Sequence, residues 1–440
     1  MKRLLILAYD FPPYVSVGGL RPHAWYKYLK EFEVKPIVVT RQWKNTNGST
    51  LDYIAASESK DTIIEKHDYG TVIRAPYFPS LSNKLYLKHG EKKVRWIRKS
   101  LTATDEIRQF IIPSGPKSTV YKAAREFLKN NKVDAIIATG EPFVLFYFAK
   151  KLSQEFGIPW IADYRDPWSS NVERNTHGKL LIPLEKKIVS TAKVITTVGA
   201  SFKVQIQHLF PNKNIYILPN GYDDEILPSI SKISQQTEEL TISFVGTLYD
   251  WHPWRSFLKV LDEFLNQNPR AKIRMNWYGI NKEKELKDYL TSLSDKTKDS
   301  VHIFPKMENK KLMETLAKDN VVLLFNYYSF MGTKIYDYLA IQRKILFCYQ
   351  NEPKALALKQ QYYKTTKEEK DLNQNLQAEL IEKTNAGIVI QNEAHLQQVF
   401  QELLDEFNAN GSIACDTIDI ENYSRKIQVK KLAEIIKSHN

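Results

Sequence analysis

Two carboxylates and a guanidinium follow an apolar stretch in residues 158–168, which read IPWIADYRDPW. A carboxylate just past a buried strand can accept the proton of a hydroxyl, and a neighbouring guanidinium can hold a polar ligand beside it. We therefore take Asp163, Arg165 and Asp166 as candidate catalytic residues. The alternative is an Arg–Asp ion pair at a loop with Trp168 packed over it, and we expect one of the two carboxylates to be structural in that sense.

A second run of informative residues, 329–340 (SFMGTKIYDYLA), follows an apolar strand and opens a helix. Backbone N–H groups of Gly332 and Thr333 at the start of that helix can bind a diphosphate, and Lys334 supplies a positive charge there. Asp337 lies one turn further on, on nearly the same face as Lys334, where a carboxylate suits the paired hydroxyls of a ribose. The alternative is an amphipathic helix whose Lys334 and Asp337 are only solvated.

Glycines mark the turn after the first strand of each half of the chain. Gly18 and Gly19 precede the first helix, where they allow a ligand close to the backbone and to the free N–H groups of the helix. The sequence is not G-x-G-x-x-G, which disfavours a nicotinamide-type dinucleotide site. Gly246 and Thr247 stand at the corresponding place in the second half, and Arg255 follows within contact range of a phosphate. The alternatives are a plain tight turn and, for Arg255, a solvated helix residue.

Short apolar runs alternate with helical stretches, which is typical of parallel sheets covered on both faces. The predicted fold class is α/β, with two Rossmann-like, doubly wound domains facing each other across a cleft. A Pro-Asn-Gly turn and a polar stretch separate the two series of strands. We predict an N-terminal domain at 1–218, a C-terminal domain at 219–420, and a final helix at 421–440 that packs on the first domain. The predicted strands are residues 3–8, 35–39, 72–75, 134–138, 159–162, 193–197 and 214–218, then 241–245, 272–277, 301–304, 321–325, 344–348 and 387–390.

Composition narrows the class of protein further. A chain of 440 residues with 43% hydrophobic and 26% charged residues predicts two or three soluble domains. The isolated Cys348 and Cys415 indicate a reducing compartment and neither a disulfide framework nor a zinc site. No apolar run approaches the roughly 20 residues that span a bilayer, and the apolar start is too short for a signal peptide. We therefore expect a cytoplasmic protein.

The formal net charge of +13 predicts anionic partners. The sequence has no zinc finger and no aromatic RNA-binding signature, so we expect no nucleic acid among them. The basic segment from Lys84 to Lys99 holds seven Lys or Arg residues and one acid, interleaved with large apolar side chains such as Trp96 and Ile97. This pattern favours an anionic membrane surface as a partner, and the alternative is a solvated helix whose charges only aid solubility.

Taken together, these stretches resemble the retaining glycosyltransferases of the GT-B fold, in the large group sometimes called glycosyltransferase family 4. The similarity covers nearly the whole chain, and the D-x-R-D-x-W run is similar to that of a bacterial polysaccharide-building subset. The motifs that carry it are Phe11-Pro12-Pro13 with Gly18, Gly19 and Arg21; Asp163-Tyr164-Arg165-Asp166-Pro167-Trp168; Pro219-Asn220-Gly221-Tyr222-Asp223; Phe244-Val245-Gly246-Thr247; and Lys334-Ile335-Tyr336-Asp337-Tyr338-Leu339.

The chain departs from the pattern of that family at the donor site. Members commonly carry two glutamates eight positions apart, whereas this chain has Ser329 at the first position and Asp337 at the second. A contact from a glutamate at position 329 to the transferred sugar is therefore missing. Of the Arg and Lys pair that holds the diphosphate in the family, Lys334 matches and Arg255 is the candidate for the second member.

The resemblance implies a hexosyltransferase-class enzyme that moves a sugar from a nucleotide diphosphate sugar to a hydroxyl acceptor with retention of configuration. It implies a lipid-linked or polysaccharide-precursor acceptor, a peripheral place on the inner face of the cell membrane, and neither a cofactor nor a metal. The alternatives are a nucleotide-sugar epimerase of similar fold and a non-catalytic nucleotide-sugar-binding protein. The implied donor-binding residues are Gly18, Gly19, Gly246, Thr247, Arg255, Gly332, Thr333, Lys334, Asp337 and, through the loop that frames the base, Lys306.

Overall fold

The computed structural model describes residues 1–44, 50–170, 178–364, 370 and 372–439, which form two compact units. One unit comprises Met1–Asn220 together with Arg425–Asn440, and the other comprises Gly221–Ser424. Each unit is built around one sheet of parallel strands, with a single antiparallel pair among the described strands at the edge of the first sheet. The predicted fold class, α/β with two Rossmann-like parallel-sheet domains, is confirmed.

The first unit contains an eight-stranded sheet in the order β3-β4-β2-β1-β5-β6-β7-β8. The strands are β1 Lys2–Leu7, β2 Val34–Arg41, β3 Ile63–Lys66, β4 Thr71–Ala75, β5 Ala135–Gly140, β6 Trp160–Tyr164, β7 Val194–Thr197 and β8 Ile215–Ile217. The central strand β1 places Leu5 opposite Ile37 on one side and Ile136 on the other. All three residues are buried, because helices cover both faces of the sheet.

Helices connect the strands of the first unit. They are α1 Val17–Tyr28, α2 Thr50–Ile54, α3 Leu81–His89, α4 Arg95–Arg108, α5 Ser118–Asn130, α6 Val144–Phe156, α7 Gly178–Val189 and α8 Ala200–Leu209. The last helix of the chain, Arg425–Ser438, also belongs to this unit and packs on α1. Its Leu432 and Ile436 are buried in one cluster with Leu4 and Ile6 of β1.

The second unit contains a six-stranded parallel sheet in the order β11-β10-β9-β12-β13-β14. The strands are β9 Leu240–Val245, β10 Ile273–Tyr278, β11 Val301–Phe304, β12 Val321–Phe325, β13 Lys344–Cys348 and β14 Gly387–Ile390. The helices are α9 Leu227–Ile230, α10 Trp254–Gln267, α11 Glu283–Leu290, α12 Asp295–Ser300, α13 Asn309–Leu316, α14 Lys334–Ile341, α15 Pro353–Tyr362, α16 Leu376–Lys383 and α17 Glu393–Asn410. The helix at the end of the chain, Arg425–Ser438, is numbered α18.

Every strand predicted from the sequence is present, with bounds shifted by at most two residues. The prediction missed β3, a four-residue strand at the edge of the first sheet that pairs antiparallel with β4. Its Ile63 and Ile64 are exposed and are followed by two charged residues, so the segment lacks the apolar run that marks a buried strand. Strands in the centre of a sheet are therefore easier to predict from the sequence than an exposed edge strand such as β3.

Candidate functional site

Asp163, the first of the candidate catalytic residues, lies inside β6 and is 0% exposed. Its carboxylate accepts hydrogen bonds from Arg21 Nη2 at 2.8 Å, Thr139 Oγ1 at 2.8 Å and Thr196 Oγ1 at 2.7 Å. A carboxylate enclosed in this way cannot contact an acceptor hydroxyl, and it is the structural member of the cluster. Asp163 forms its ion pair with Arg21 and not with Arg165, the arginine of the same motif. Trp168 does not cover this ion pair but packs between the rings of Phe110 and Phe143.

Arg165 follows the end of β6 and is held by the backbone of the neighbouring loop. Its Nε donates to the Gly140 carbonyl and its Nη2 to the Glu141 carbonyl, both at 2.7 Å. Its Nη1 lies beside Gly18, where an added Cβ would be 2.1 Å from that nitrogen. A side chain at position 18 would therefore have to displace the end of the Arg165 guanidinium. Asp166 is partly exposed at the same edge of the sheet.

Asp10, which the sequence reading did not single out, borders the same space. Its Oδ2 would lie 2.9 Å from a Cβ at Gly18 and accepts a hydrogen bond from Ser16 Oγ at 2.7 Å. Ser16 in turn caps α1 by accepting from the Gly18 N–H at 2.9 Å. Burial raises the pKa of Asp10, while the Arg165 and Arg41 guanidinium groups oppose that rise. The sequence indicates Asp10 as a candidate site residue only through its position shortly after the first buried strand.

In the second unit, the structure brings Gly246 and Lys334 together. Gly246 follows β9 with a φ of +84°, and a Cβ there would lie 3.0 Å from Lys334 Cε and 3.1 Å from Nζ. The ammonium also lies 5.0 Å from the centre of the Phe244 ring. Burial lowers the pKa of Lys334 to about 8, and no described carboxylate forms an ion pair with it. A half-buried cation without a counter-ion, at the carboxyl edge of a parallel sheet, suits an anionic ligand.

The remaining candidates of the loop before α14 line the same edge. Thr333 precedes α14 and makes no capping hydrogen bond with its side chain, and Gly332 is exposed with a φ of +66°. Asp337 lies in the first turn of that helix. Thr247 is exposed just after Gly246. The loop before α14 and the residue after Gly246 therefore both follow strands of the second sheet, β12 and β9, at its carboxyl edge.

Position 329, where the resemblance expects a glutamate, holds a buried serine with a buried lysine beside it. Lys359 Nζ donates to Ser329 Oγ at 3.0 Å and lies 3.9 Å from the centre of the Phe330 ring. Both Ser329 and Lys359 are less than 5% exposed. The sequence reading missed Lys359 because its only signal, a lysine on a separate polar helix, does not indicate a contact with residue 329.

Within the described part of the chain, the contacts of two further candidates, Arg255 and Lys306, do not include Lys334. Arg255 is exposed, stacks over Trp254 at 4.1 Å and faces Glu285 at 3.8 Å, so its charge is already shared with surface groups. Lys306 follows β11, and its Cα would lie 3.2 Å from a Cβ at Gly279. The backbone of residue 306 therefore packs on the turn after β10, whose glycine has a φ of +59°.

Within the described ranges, no group of three or more His, Cys, Asp or Glu side chains could hold a metal ion. None of the helices in the described part of the chain is both long and apolar enough to cross a membrane.

The fold of the whole chain is that of GT-B proteins, with two Rossmann-like domains. Sucrose-phosphate synthase from Thermosynechococcus elongatus aligns over 100% of this chain and 99% of its own, at 11% identity and a TM-score of 0.57. The structure described as "Trehalose-6-phosphate from E. coli bound with UDP-2-fluoro glucose" aligns over 100% and 96%, at 10% identity and a TM-score of 0.56. A glycosyltransferase from Rickettsia africae ESF-5 aligns over 100% and 98%, at 13% identity and a TM-score of 0.51. No protein-family profile and no curated protein sequence matches the chain.

Proposed function

We propose that the chain is a glycosyltransferase that moves a sugar from a nucleotide diphosphate sugar to a hydroxyl acceptor. The observation that carries this proposal is the contact of Lys334 with Gly246 at the carboxyl edge of the second sheet, where no carboxylate of the described residues pairs with the ammonium. UDP-2-fluoro glucose in the similar E. coli structure supports a nucleotide sugar as the ligand of such a fold.

Most of the proposed donor-binding residues belong to the second unit, and Gly18 and Gly19 are those of the first unit. The diphosphate of the donor would accept hydrogen bonds from Lys334 Nζ, from Thr247 and from the N–H groups at the start of α14. Asp337 would accept from the ribose hydroxyls, and the backbone at Lys306 would frame the base. When the glycosidic bond breaks, negative charge accumulates on the departing diphosphate, and these preorganised donors stabilise it without rearrangement.

The acceptor would bind to residues of the first unit. Arg165 retains Nη1 for a ligand, because the Gly140 and Glu141 carbonyls already fix the other two nitrogens of its guanidinium. Asp166, the partly exposed carboxylate, would orient or deprotonate the acceptor hydroxyl, and a departing phosphate oxygen is the other candidate base. Asp163 acts indirectly, because it positions the strand end from which Arg165 and Asp166 emerge. We further propose retention of anomeric configuration.

The basic segment from Lys84 to Lys99 supports a lipid-linked acceptor and a peripheral position on an anionic membrane. It covers most of α3, the turn after it and the start of α4, a helix with no buried residue. Trp96 is 84% exposed and Ile97 56% exposed, although apolar side chains of this size are costly to leave in water. The segment therefore presents both positive charge and an apolar surface, the two components of interfacial binding.

The test is turnover with a panel of donors. The full chain is incubated with UDP-, GDP-, dTDP- and ADP-sugars, with and without bacterial lipid extract as acceptor, and the sugar is followed by mass spectrometry. Transfer that requires the acceptor supports the proposal. Conversion of the donor to its epimer without acceptor would establish the epimerase alternative, and tight donor binding without either reaction would establish a binding protein.

A further inference from the structure

Two nitrogen-bearing side chains, Lys334 and His252, lie against the same aromatic ring in the second unit. Lys334 Nζ is 5.0 Å from the centre of the Phe244 ring, and the His252 ring centre is 6.4 Å away, with the planes at 81°. His252 belongs to the loop that begins at Gly246, and the Gly246 backbone is the part of that loop that Lys334 contacts. The structure therefore adds a histidine to the donor site that no motif of the sequence indicated.

The backbone fixes which nitrogen of His252 carries the proton. The Tyr249 N–H donates to His252 Nδ1 at 3.3 Å, so the neutral ring bears its hydrogen on Nε2. Neither His252 Nε2 nor Lys334 Nζ has a hydrogen-bond acceptor within the described part of the chain. The site thus contains two donors that the described protein groups leave unused.

The described charged groups near His252 and Lys334 are either positive or already form ion pairs with other residues. Burial and the Lys334 and Lys282 ammonium groups hold the pKa of His252 well below its usual value, so the ring is neutral near pH 7. Lys282 itself pairs with Asp250 and with Glu285. The other groups packed on His252 are aromatic rings, with ring centres at 5.2 Å for Tyr249, 5.3 Å for Phe325 and 5.8 Å for Trp251. No carboxylate among the described residues therefore offsets the cost of charging both His252 and Lys334.

We propose that Lys334 and His252 form a proton-linked diphosphate site, in which the bound diphosphate accepts hydrogen bonds from both side chains and draws a proton onto the pair. The proton comes from the solvent, and no covalent bond changes. This inference rests on the proposed function, because it assumes that the ligand of this edge is a nucleotide diphosphate. It adds that donor affinity depends on pH in the neutral to weakly alkaline range.

The sign follows from electrostatics. An anionic diphosphate favours the charged forms of Lys and His, so it raises both pKa values on binding. Affinity therefore increases as the pH falls, through the range in which the free site is deprotonated and the bound site is protonated. With the pKa of free Lys334 at about 8, a solution at that pH holds the ammonium half ionised, and binding takes up about half a proton from Lys334 alone.

The experiment is titration calorimetry of the full chain with UDP, GDP, dTDP and ADP at a pH of about 8, in buffers of different ionisation enthalpy. The dependence of the heat on the buffer gives the number of protons taken up. At this pH the terminal phosphate, with a pKa of about 6, is already ionised and contributes little. We expect uptake of about half a proton or more for the nucleotide that binds, and an affinity that falls up to about tenfold per pH unit above this range.

Three variants assign the proton. Lys334→Arg keeps a positive charge that does not titrate and should retain binding with reduced uptake. His252→Gln keeps a neutral donor and should remove the histidine share of the uptake. His395→Gln is the matched control, because the Gln391 N–H donates to His395 Nδ1 at 3.2 Å in the same way but away from Lys334, and it should match the wild type.

The outcomes separate the two proposals. Binding of a nucleotide diphosphate without proton uptake, or uptake unchanged in both Lys334→Arg and His252→Gln, overturns the proton linkage and leaves the proposed function standing. Absence of binding for every nucleotide diphosphate overturns both. Thermal melts of each variant show that a lost signal does not come from unfolding.

Discussion

Arg21 on α1 and Asp163 in β6 form a buried ion pair, with Arg21 Nη2 at 2.8 Å from Asp163 Oδ1. The same guanidinium donates from Nη1 to the Leu218 carbonyl at 2.7 Å, close to the Pro-Asn-Gly turn where the first unit ends. Thr139 of β5 and Thr196 of β7 bind the Asp163 carboxylate from the neighbouring strands. One network therefore ties the first helix, three strands and the end of the unit together.

Replacement of Asp163 by Asn should cost about 3–5 kcal/mol of the free energy of unfolding, because it leaves the Arg21 guanidinium buried without a counter-ion. Urea denaturation followed by circular dichroism measures the loss. The control is Glu126→Gln, which breaks the exposed Lys129–Glu126 pair and should cost less than about 1 kcal/mol. If Asp163→Asn keeps wild-type stability but loses turnover, Asp163 takes part in the chemistry and its positioning role is wrong.

Replacement of Gly18 by Ala should displace Arg165, because the new Cβ would lie 2.1 Å from Arg165 Nη1. We expect turnover to fall at least tenfold, while donor affinity changes less because Lys334 and most of the other proposed donor-binding residues belong to the second unit. Steady-state kinetics and calorimetry separate these two effects. Gly199→Ala is the control, because a Cβ there has no neighbour within 4 Å. Equal rates for both variants would show that Arg165 does not serve the acceptor.

Replacement of Lys334 by Ala should weaken binding of a nucleotide diphosphate by about 1.5–3 kcal/mol, the worth of a charge-assisted hydrogen bond. Binding of the bare nucleoside should change little, because it has no phosphate. Calorimetry with both ligands measures the difference. An equal loss for the two ligands would place Lys334 away from the phosphates.

Asp337→Asn should weaken the nucleotide diphosphate and the nucleoside alike, because both contain the ribose that this carboxylate is proposed to bind. Calorimetry with the nucleotide diphosphate and the nucleoside tests this prediction, and Lys334→Ala, which should weaken only the diphosphate, is the contrasting variant. If neither ligand is affected by Asp337→Asn, the ribose assignment is wrong.

The strands and their order in the chain could be predicted because buried parallel strands read as continuous apolar runs. That Gly246 and Lys334 lie at one edge of a sheet could also be predicted, since both positions follow strands of one sheet and loops after parallel strands share an edge. The role of Asp163 could not be read in the same way. An Asp that ends an apolar run looks the same whether it faces solvent or an arginine 142 positions away in the chain. His252 and Lys359 were missed because their neighbours come from loops and helices whose packing leaves no periodic signal.

The basic segment from Lys84 to Lys99 leads to a prediction about membrane binding. Lys92 and Lys93 lie between α3 and α4, and Arg95 begins α4 next to Trp96; all three basic side chains are exposed, so together they can lie at a lipid surface. Their combined change to Gln should lower binding to vesicles of phosphatidylserine and phosphatidylcholine by about 1 kcal/mol per residue removed. Arg98 is left in place, because it donates to the Glu91 carbonyl at 2.7 Å and stacks on Tyr86, which holds the two helices together.

Co-sedimentation with vesicles at low and high salt measures this binding. The wild type should bind anionic vesicles, lose binding as salt screens the charges, and ignore vesicles of phosphatidylcholine alone. The charge-matched control changes Lys284, Lys310 and Lys311 to Gln on exposed helices of the second unit, and it should bind as the wild type does. Trp96→Ser tests the apolar component separately, because it keeps every charge but removes a ring that is 84% exposed. If the wild type ignores anionic vesicles even at low salt, or both triple variants weaken binding equally, the segment is ordinary surface and the acceptor is a soluble one.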